Sequence, residues 1–287
     1  MKSMILVPII TPFNADETIN HEALARLTKK VIADGADGIY ATGSSAECFL
    51  LSAQERMEAL ETIIKAADGA FVMAHVGNIG TKLSIELAKH AERVGANAIA
   101  SVPPFYFAYG PGAIKQYYKD LSESVSIPTL VYNIPSNTVK LSIAELVEIL
   151  RLPNVNSLKF TDFDYYTMEQ VKTDSGTYVY SGKDECFISA IAMGADGGIG
   201  TTYNFMVSKY VRILKAYKEG KVDQALKIQQ SANKITRAVV EAGCLPATKY
   251  LCTLQGIDVG ECRRPFTPLT EEQKAYVKKV YEENINI

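Results

Sequence analysis

Short apolar runs recur along the chain, each about one strand-plus-helix unit after the last. They are ILVPII from Ile5, GIYATG from Gly38, FVMAHVG from Phe71, AIASVPP from Ala98, TLVYNIP from Thr129, VNSLKF from Val155, YVYSG from Tyr178 and GGIGTTYN from Gly197. Each is too short for a helix, and most are rich in β-branched or aromatic residues, the pattern of a buried strand. Between them, apolar residues fall at helical spacing. Ala23, Leu24, Leu27, Val31 and Ile32 share one face, with Asn20 at the N-cap position and Gly35 at the end. SAQE (residues 52–55) reads as a capping box ahead of the stripe Met57, Leu60, Ile63 and Ile64. Leu83, Leu87, Ala88, Ala91 and Val94 form a third stripe, closed by Gly95, and SIAE (residues 142–145) opens another that Pro153 stops.

Strand then helix, eight times over, predicts an α/β fold of the (β/α)8 TIM-barrel type. A doubly wound open sheet shares the alternation, but no G-x-G-x-x-G follows the first strand, so its dinucleotide-binding form has no support. Residues 1–205 are expected to form the barrel core. Residues 206–287 are expected to form the last barrel helix and a C-terminal helical extension packed on the barrel, with helices at 206–219, 221–242, near 248–254 and 270–283.

Composition narrows the function classes. The chain has 287 residues, 47% of them apolar and 22% charged, a length that fits two domains or one α/β barrel and buries a full core without disulfide or metal staples. A formal charge of −2 with both signs interspersed argues against a nucleic-acid partner. No apolar run approaches the roughly 18 residues of a membrane span. The opening MKSMILVPIITPF carries one Lys and a short apolar run; Pro8, Pro12 and the lack of an A-x-A site favour a first strand over a signal sequence. Cys48, Cys186, Cys244, Cys252 and Cys262 are odd in number and form no C-x-x-C, as expected of reduced thiols in a cytoplasmic protein. None of His21, His75 and His90 lies near a second His or a Cys at metal-ligand spacing, so no metal site is expected.

Candidate chemistry lies at the strand ends. Lys159 sits inside VNSLKF, between Leu158 and Phe160. An ordinary strand-end lysine would hold its ammonium in water or against Asp162 or Asp164. The alternative is a Schiff-base lysine: apolar neighbours disfavour the ammonium, and the neutral amine attacks a carbonyl carbon. Barrel active sites lie at the C-terminal ends of the strands, where Lys159 falls. GSSAE (residues 43–47) ends the second strand with hydroxyls and backbone N–H groups that can hold a carboxylate, or serve simply as a cap. YNIP (residues 132–135) ends the fifth strand, one unit before the lysine, which puts the Tyr132 phenol near the amine unless Tyr132 is only a core aromatic. KDE (residues 183–185), taken on its own, reads as a solvated helix start. GADGGIG (residues 194–200) looks like a phosphate loop, but its small residues in a strand context favour close packing.

Taken together, G-[ST]-[ST]-x-E, Y-N-[IV]-P and L-K-x-[ST] after the second, fifth and sixth strands resemble the class I aldolase family that includes dihydrodipicolinate synthase and N-acetylneuraminate lyase. PIITPFN and PPFY also match, and the resemblance runs through the helical tail. Asn137 stands where the synthase branch usually carries Arg, while SGKDECF, GGIGTTYN and RRPFTP resemble the lyase branch. The resemblance implies reversible cleavage of N-acetylneuraminate to N-acetylmannosamine and pyruvate, through a covalent lysine imine and with no cofactor or metal. Its alternatives are another pyruvate-dependent aldolase (a dihydrodipicolinate synthase or a 2-keto-3-deoxy sugar acid aldolase) and a catalytically silent keto-acid-binding paralogue. It implies that Lys159 forms the imine and Tyr132 relays protons. Ser44 would complete a hydroxyl chain with Tyr106 from a neighbouring subunit of a homotetramer. Ser44 and Ser45 would hold the carboxylate. Asp184 and Glu185 would bind the polyol tail, and Thr161, Gly182, Gly200 and Thr201 would line the same groove. Ala46, Val139 and Lys183 depart from the usual Gly, Gly and aromatic, which puts the cradle geometry and the sugar specificity in question.

Overall fold

A computed structural model describes residues 3–287; Met1 and Lys2, at the head of the opening segment, lie outside the described residues. The barrel strands are β1 (Ile5–Pro8), β2 (Gly38–Ala41), β3 (Phe71–His75), β4 (Ala98–Ser101), β5 (Thr129–Asn133), β6 (Val155–Phe160), β7 (Tyr178–Ser181) and β8 (Gly197–Ile199). The interleaved helices are α1 (His21–Ala33), α2 (Ala53–Ala67), α3 (Thr81–Arg93), α4 (Pro111–Glu123), α5 (Ile143–Leu150), α6 (Tyr165–Ser175), α7 (Phe187–Ala192) and α8 (Tyr203–Lys218), followed by α9 (Val222–Ala242), α10 (Cys244–Leu254) and α11 (Glu271–Asn284). Each strand pairs in parallel with its sequence neighbours, and β8 closes on β1. All eight expected strands therefore form, as a TIM barrel with extra C-terminal helices.

Strand parity sorts the side chains into two cores. Val7, Ile39, Val72, Ala74, Ile99, Val131, Leu158, Phe160 and Val179 face the helices. Leu6, Tyr40, Met73, Ala98, Ala100, Leu130, Tyr132 and Tyr180 face the barrel interior. Successive residues of a strand point to opposite faces, so Lys159, set between outward Leu158 and Phe160, points inward. Burial of large apolar side chains, each contributing roughly 1.5–3 kcal/mol, drives both cores.

The helix starts follow the sequence signals. Asn20 accepts from the Ala23 N–H, and Ser52–Glu55, Ser142–Glu145 and Thr270–Gln273 make reciprocal capping boxes. Gly35 and Gly95 take the left-handed φ values, 106° and 95°, that end α1 and α3. Two boundaries differ from expectation, at α8 and α10, and an unexpected turn appears before α7. α8 begins at Tyr203 and departs from helical geometry at Met206 (φ −146°); α10 begins at Cys244, ahead of 248; and a short 3-10 turn (Asp184–Cys186) precedes α7. GADGGIG is a tight-packing segment: a Cβ on Gly197 would lie 1.9 Å from the Met4 carbonyl oxygen, so neighbouring backbone fills the space a side chain would need. All five cysteines are free thiols. Among the described residues no helix is long and apolar enough to cross a membrane.

Candidate active site

Lys159 is 5% exposed, near the C-terminal end of β6. Parallel register pairs it with Tyr132 of β5 on one side and Tyr180 of β7 on the other. Its Nζ stands 4.0 Å from the centroid of the Tyr132 ring and 4.9 Å from that of Tyr40. Among the described residues it makes no ion pair with Asp162 or Asp164; Asp164 instead caps α6, accepting from the Thr167 N–H. Tyr40, His75 and Tyr132 form a ring cluster around it, with centroids 6.0 to 6.3 Å apart. An iminium at this nitrogen would be stabilised by the ring quadrupoles. Sequence reasoning missed Tyr40 and Tyr180, although alternation along GIYATG and YVYSG already turns both inward.

The turn after β2 is a 3-10 helix (Ser44–Ala46). Ser45 is buried and its hydroxyl lies 2.7 Å from that of Thr201, which joins this turn to the end of β8. Ser44 is exposed and lines a cavity of about 440 Å³ with Asn137, Thr138, Phe105, Ile134 and Leu245, a lining that includes neither Lys159 nor Tyr132. Ala46 needs no unusual φ: the left-handed position falls on Glu47 (φ 58°), so the missing glycine leaves the turn's backbone intact. Glu47 was unassigned by sequence reasoning. Its buried carboxylate pairs with Lys249 of α10 at 2.8 Å and accepts from the Arg263 backbone N–H, which ties the turn to the C-terminal extension.

A second set of groups lies at the ends of β6, β7 and β8. Asp184 is 6% exposed, and its Oδ2 accepts from the Thr202 N–H and hydroxyl at 2.9 and 2.7 Å. Burial nevertheless raises its carboxyl pKa to about 6, against the opposing Thr202 hydrogen bonds. Its other oxygen, Oδ1, and the Thr161 hydroxyl are buried with no partner among the described residues. A buried polar atom left unpaired costs about 1–3 kcal/mol, and such atoms mark places where a ligand completes the bonding. Both stand against glycines. A Cβ on Gly200 would lie 1.7 Å from Asp184 Oδ1, and one on Gly182 would lie 1.9 Å from Thr161 Oγ1. Glu185 is half-buried beside Asp184, and its carbonyl accepts from Asn233 of α9. Lys183 holds its ammonium 4.1 Å over the Phe163 ring, and Val139 packs partly buried against the outer core.

One expected site residue stands apart. Tyr106 is 85% exposed in the loop after β4, with φ 79° and its ring edge-on to Phe107, clear of the groups around Lys159. Among the described residues no cluster of His, Cys, Asp and Glu is arranged to hold a metal ion.

Residues 1–284 match the dihydrodipicolinate synthetase family. The chain is 36% identical over 288 aligned positions to an N-acetylneuraminate lyase of Escherichia coli, covering 97% of each chain. A Clostridium difficile protein crystallised with mannosamine superposes with a TM-score of 0.96 at 30% identity, over 99% of both chains. A Bacillus anthracis dihydrodipicolinate synthase superposes with a TM-score of 0.94 at 26% identity, over 98% of both.

Proposed function

The chain belongs to the dihydrodipicolinate synthetase family, a family of pyruvate-dependent class I aldolases, and we propose that it cleaves N-acetylneuraminate reversibly to N-acetylmannosamine and pyruvate. The observation that carries this reading is Lys159: a lysine buried inside the barrel, cross-strand from a tyrosine, at the end where barrel enzymes react. Its amine adds to the C2 ketone of the open-chain sugar acid, and loss of water leaves a cationic imine. Electrons of the C3–C4 bond flow into that imine as the C4 hydroxyl loses its proton. The aldehyde departs, and the enamine takes a proton at C3 before water releases pyruvate.

Tyr132 relays the C4 proton together with the substrate carboxylate. Ser44 and Ser45 receive that carboxylate. Ser44 extends the hydroxyl chain to Tyr106 of a neighbouring copy in a homotetramer, and the exposure of Tyr106 suits that role. Asp184, Glu185, Thr161 and Thr201 bind the polyol. The unpaired oxygens of Asp184 and Thr161 support this, because sugar hydroxyls donate and accept at the same atom. Gly182 and Gly200 keep the groove open. No cofactor is required and the location is cytoplasmic. Lys183, where an aromatic is common in the lyase pattern, is the observation that favours a second reading, a 2-keto-3-deoxy sugar acid aldolase using the same chemistry.

Pyruvate release from a panel of keto sugar acids tests the proposal, with aspartate semialdehyde condensation as the synthase control. N-acetylneuraminate should be cleaved with the highest kcat/KM. Protein that traps pyruvate under borohydride yet releases none from N-acetylneuraminate is not this lyase.

A further inference from the structure

His75 ends β3 with its ring inside the barrel, 1% exposed, one element away from the turn that carries Ser44 and Ser45. The backbone N–H of Val102, just past β4, donates to its Nε2 at 3.4 Å. An accepting Nε2 fixes the neutral tautomer with the proton on Nδ1, which donates to the Thr42 carbonyl at 3.3 Å. Burial, reinforced by the positive charges of Arg56 and Lys159, holds the imidazole pKa well below its usual value, in keeping with that neutral form. In return, the Thr42 hydroxyl donates to the His75 carbonyl at 3.0 Å, and the buried Arg56 guanidinium donates to the same carbonyl at 2.7 Å and to that of Gly77 at 3.1 Å. Thr42 and His75 thus grip each other twice. Gly77 leaves room for the ring, since a Cβ there would lie 2.8 Å from Nε2.

The grip falls on a strained residue. Thr42 has φ 52°, a left-handed conformation that a β-branched side chain disfavours, directly before Gly43 and the Ser44–Ala46 turn. A residue held in that region persists only where its surroundings over-determine it. We propose that His75 is a positioning residue: by bonding Thr42 through Nδ1 it holds the strained start of the turn, and so sets Ser44 and Ser45 to receive the substrate's α-keto carboxylate. The inference rests on the aldolase reading above.

The test is borohydride trapping of pyruvate on Lys159, followed by intact mass across a pyruvate titration, in five proteins: wild type, His75→Gln, His75→Asn, Thr42→Gly and Thr42→Gly/His75→Gln. The Gln amide stands near the Nε2 position and abandons Thr42, whereas the Asn amide nitrogen stands near Nδ1 and keeps that bond. His75→Gln is expected to raise the half-saturating pyruvate about tenfold, the size of one lost buried hydrogen bond, with the fraction trapped at saturation unchanged. His75→Asn should stay within about threefold of wild type. Glycine adopts the left-handed conformation freely, so the double variant should return to within about threefold of Thr42→Gly alone. A packing role alone predicts no such rescue. An unmoved half-saturation in His75→Gln, or a double variant as impaired as His75→Gln, overturns the proposal. If His75→Gln does not fold, the double variant must fold, and its failure to do so has the same force. Wild-type protein that forms no adduct defeats the aldolase reading and this inference together, whereas adduct formation with an unmoved His75→Gln defeats this inference alone.

Discussion

Glu47 and Lys249 form a closed ion pair at 2.8 Å, with side chains 0% and 2% exposed, between the turn after β2 and helix α10. Lys249 also donates to the Glu261 carbonyl at 2.8 Å and lies 4.2 Å over the Phe13 ring. The pair joins the barrel's reactive rim to the extension, which gives the extra helices a mechanical role: they brace the turn that carries Ser44 and Ser45. Removing one partner strands the other charge in the interior. Lys249→Met is expected to lower unfolding free energy by about 3–5 kcal/mol in urea titration, and Glu47→Gln/Lys249→Met to recover much of that loss. A cost below about 1 kcal/mol in the single variant would mean that water reaches the pair.

Lys159→Ala should abolish pyruvate release and remove the borohydride adduct. Lys159→Arg should be equally inactive, because a guanidinium stays protonated and cannot add to a ketone. Mass spectrometry of the trapped protein reads the adduct, and a coupled pyruvate assay reads the rate. Near-normal turnover in either variant would rule out imine chemistry at this site.

Tyr132→Phe preserves the ring that faces the Lys159 Nζ and deletes only the hydroxyl. The adduct with pyruvate should therefore still form, while kcat for cleavage should fall by roughly 10²–10⁴, the usual worth of a positioned acid or base. An unchanged kcat would leave Tyr132 as a wall of the pocket and nothing more.

Local signals and strand parity made much of this legible in the sequence. SAQE and SIAE became reciprocal capping boxes because both partners lie within one turn of chain. Lys159 points inward because its neighbours Leu158 and Phe160 point outward, a rule of spacing alone. The Tyr132–Lys159 pairing followed from adjacent parallel strands. What stayed hidden depends on distant segments meeting. Glu47 and Lys249 have no local pattern that marks them as partners, and the left-handed φ of Thr42 is contrary to its residue type, so only its tertiary bonds to His75 explain it. α10 begins at Cys244, ahead of the expected 248, and holds Pro246 in its first turn, where a proline costs no intrahelical hydrogen bond. The expected roles of Ser44 and Tyr106 involve a second copy of the chain, and one chain's sequence carries no geometry for that contact.

The pH dependence of stability should carry the signature of Asp184. Burial raises its carboxyl to about 6 from 3.8, helped by the neighbouring Glu185 charge and opposed by Thr202 and Lys159. A carboxyl raised on folding contributes stability that is fully present below the unfolded value and is lost as pH rises through the folded one, because the folded protein binds the proton more tightly. The window here runs from about 4 to about 6, above which the ionised carboxylate is buried at a cost. Asp184→Asn removes the titration while keeping an oxygen to accept from Thr202. Relative to wild type, the variant should gain on the order of 1 kcal/mol of unfolding free energy between pH 5 and pH 8, by linkage over that interval. Urea titrations of both proteins at the two pH values measure the difference. A gap that does not change with pH would show that Asp184 titrates at its ordinary value, solvated within an open groove. Activity adds an independent reading: Asn keeps an acceptor for a sugar hydroxyl but loses the charge, so KM for the polyol-bearing substrate should rise while half-saturation for pyruvate in the trapping assay stays where it was.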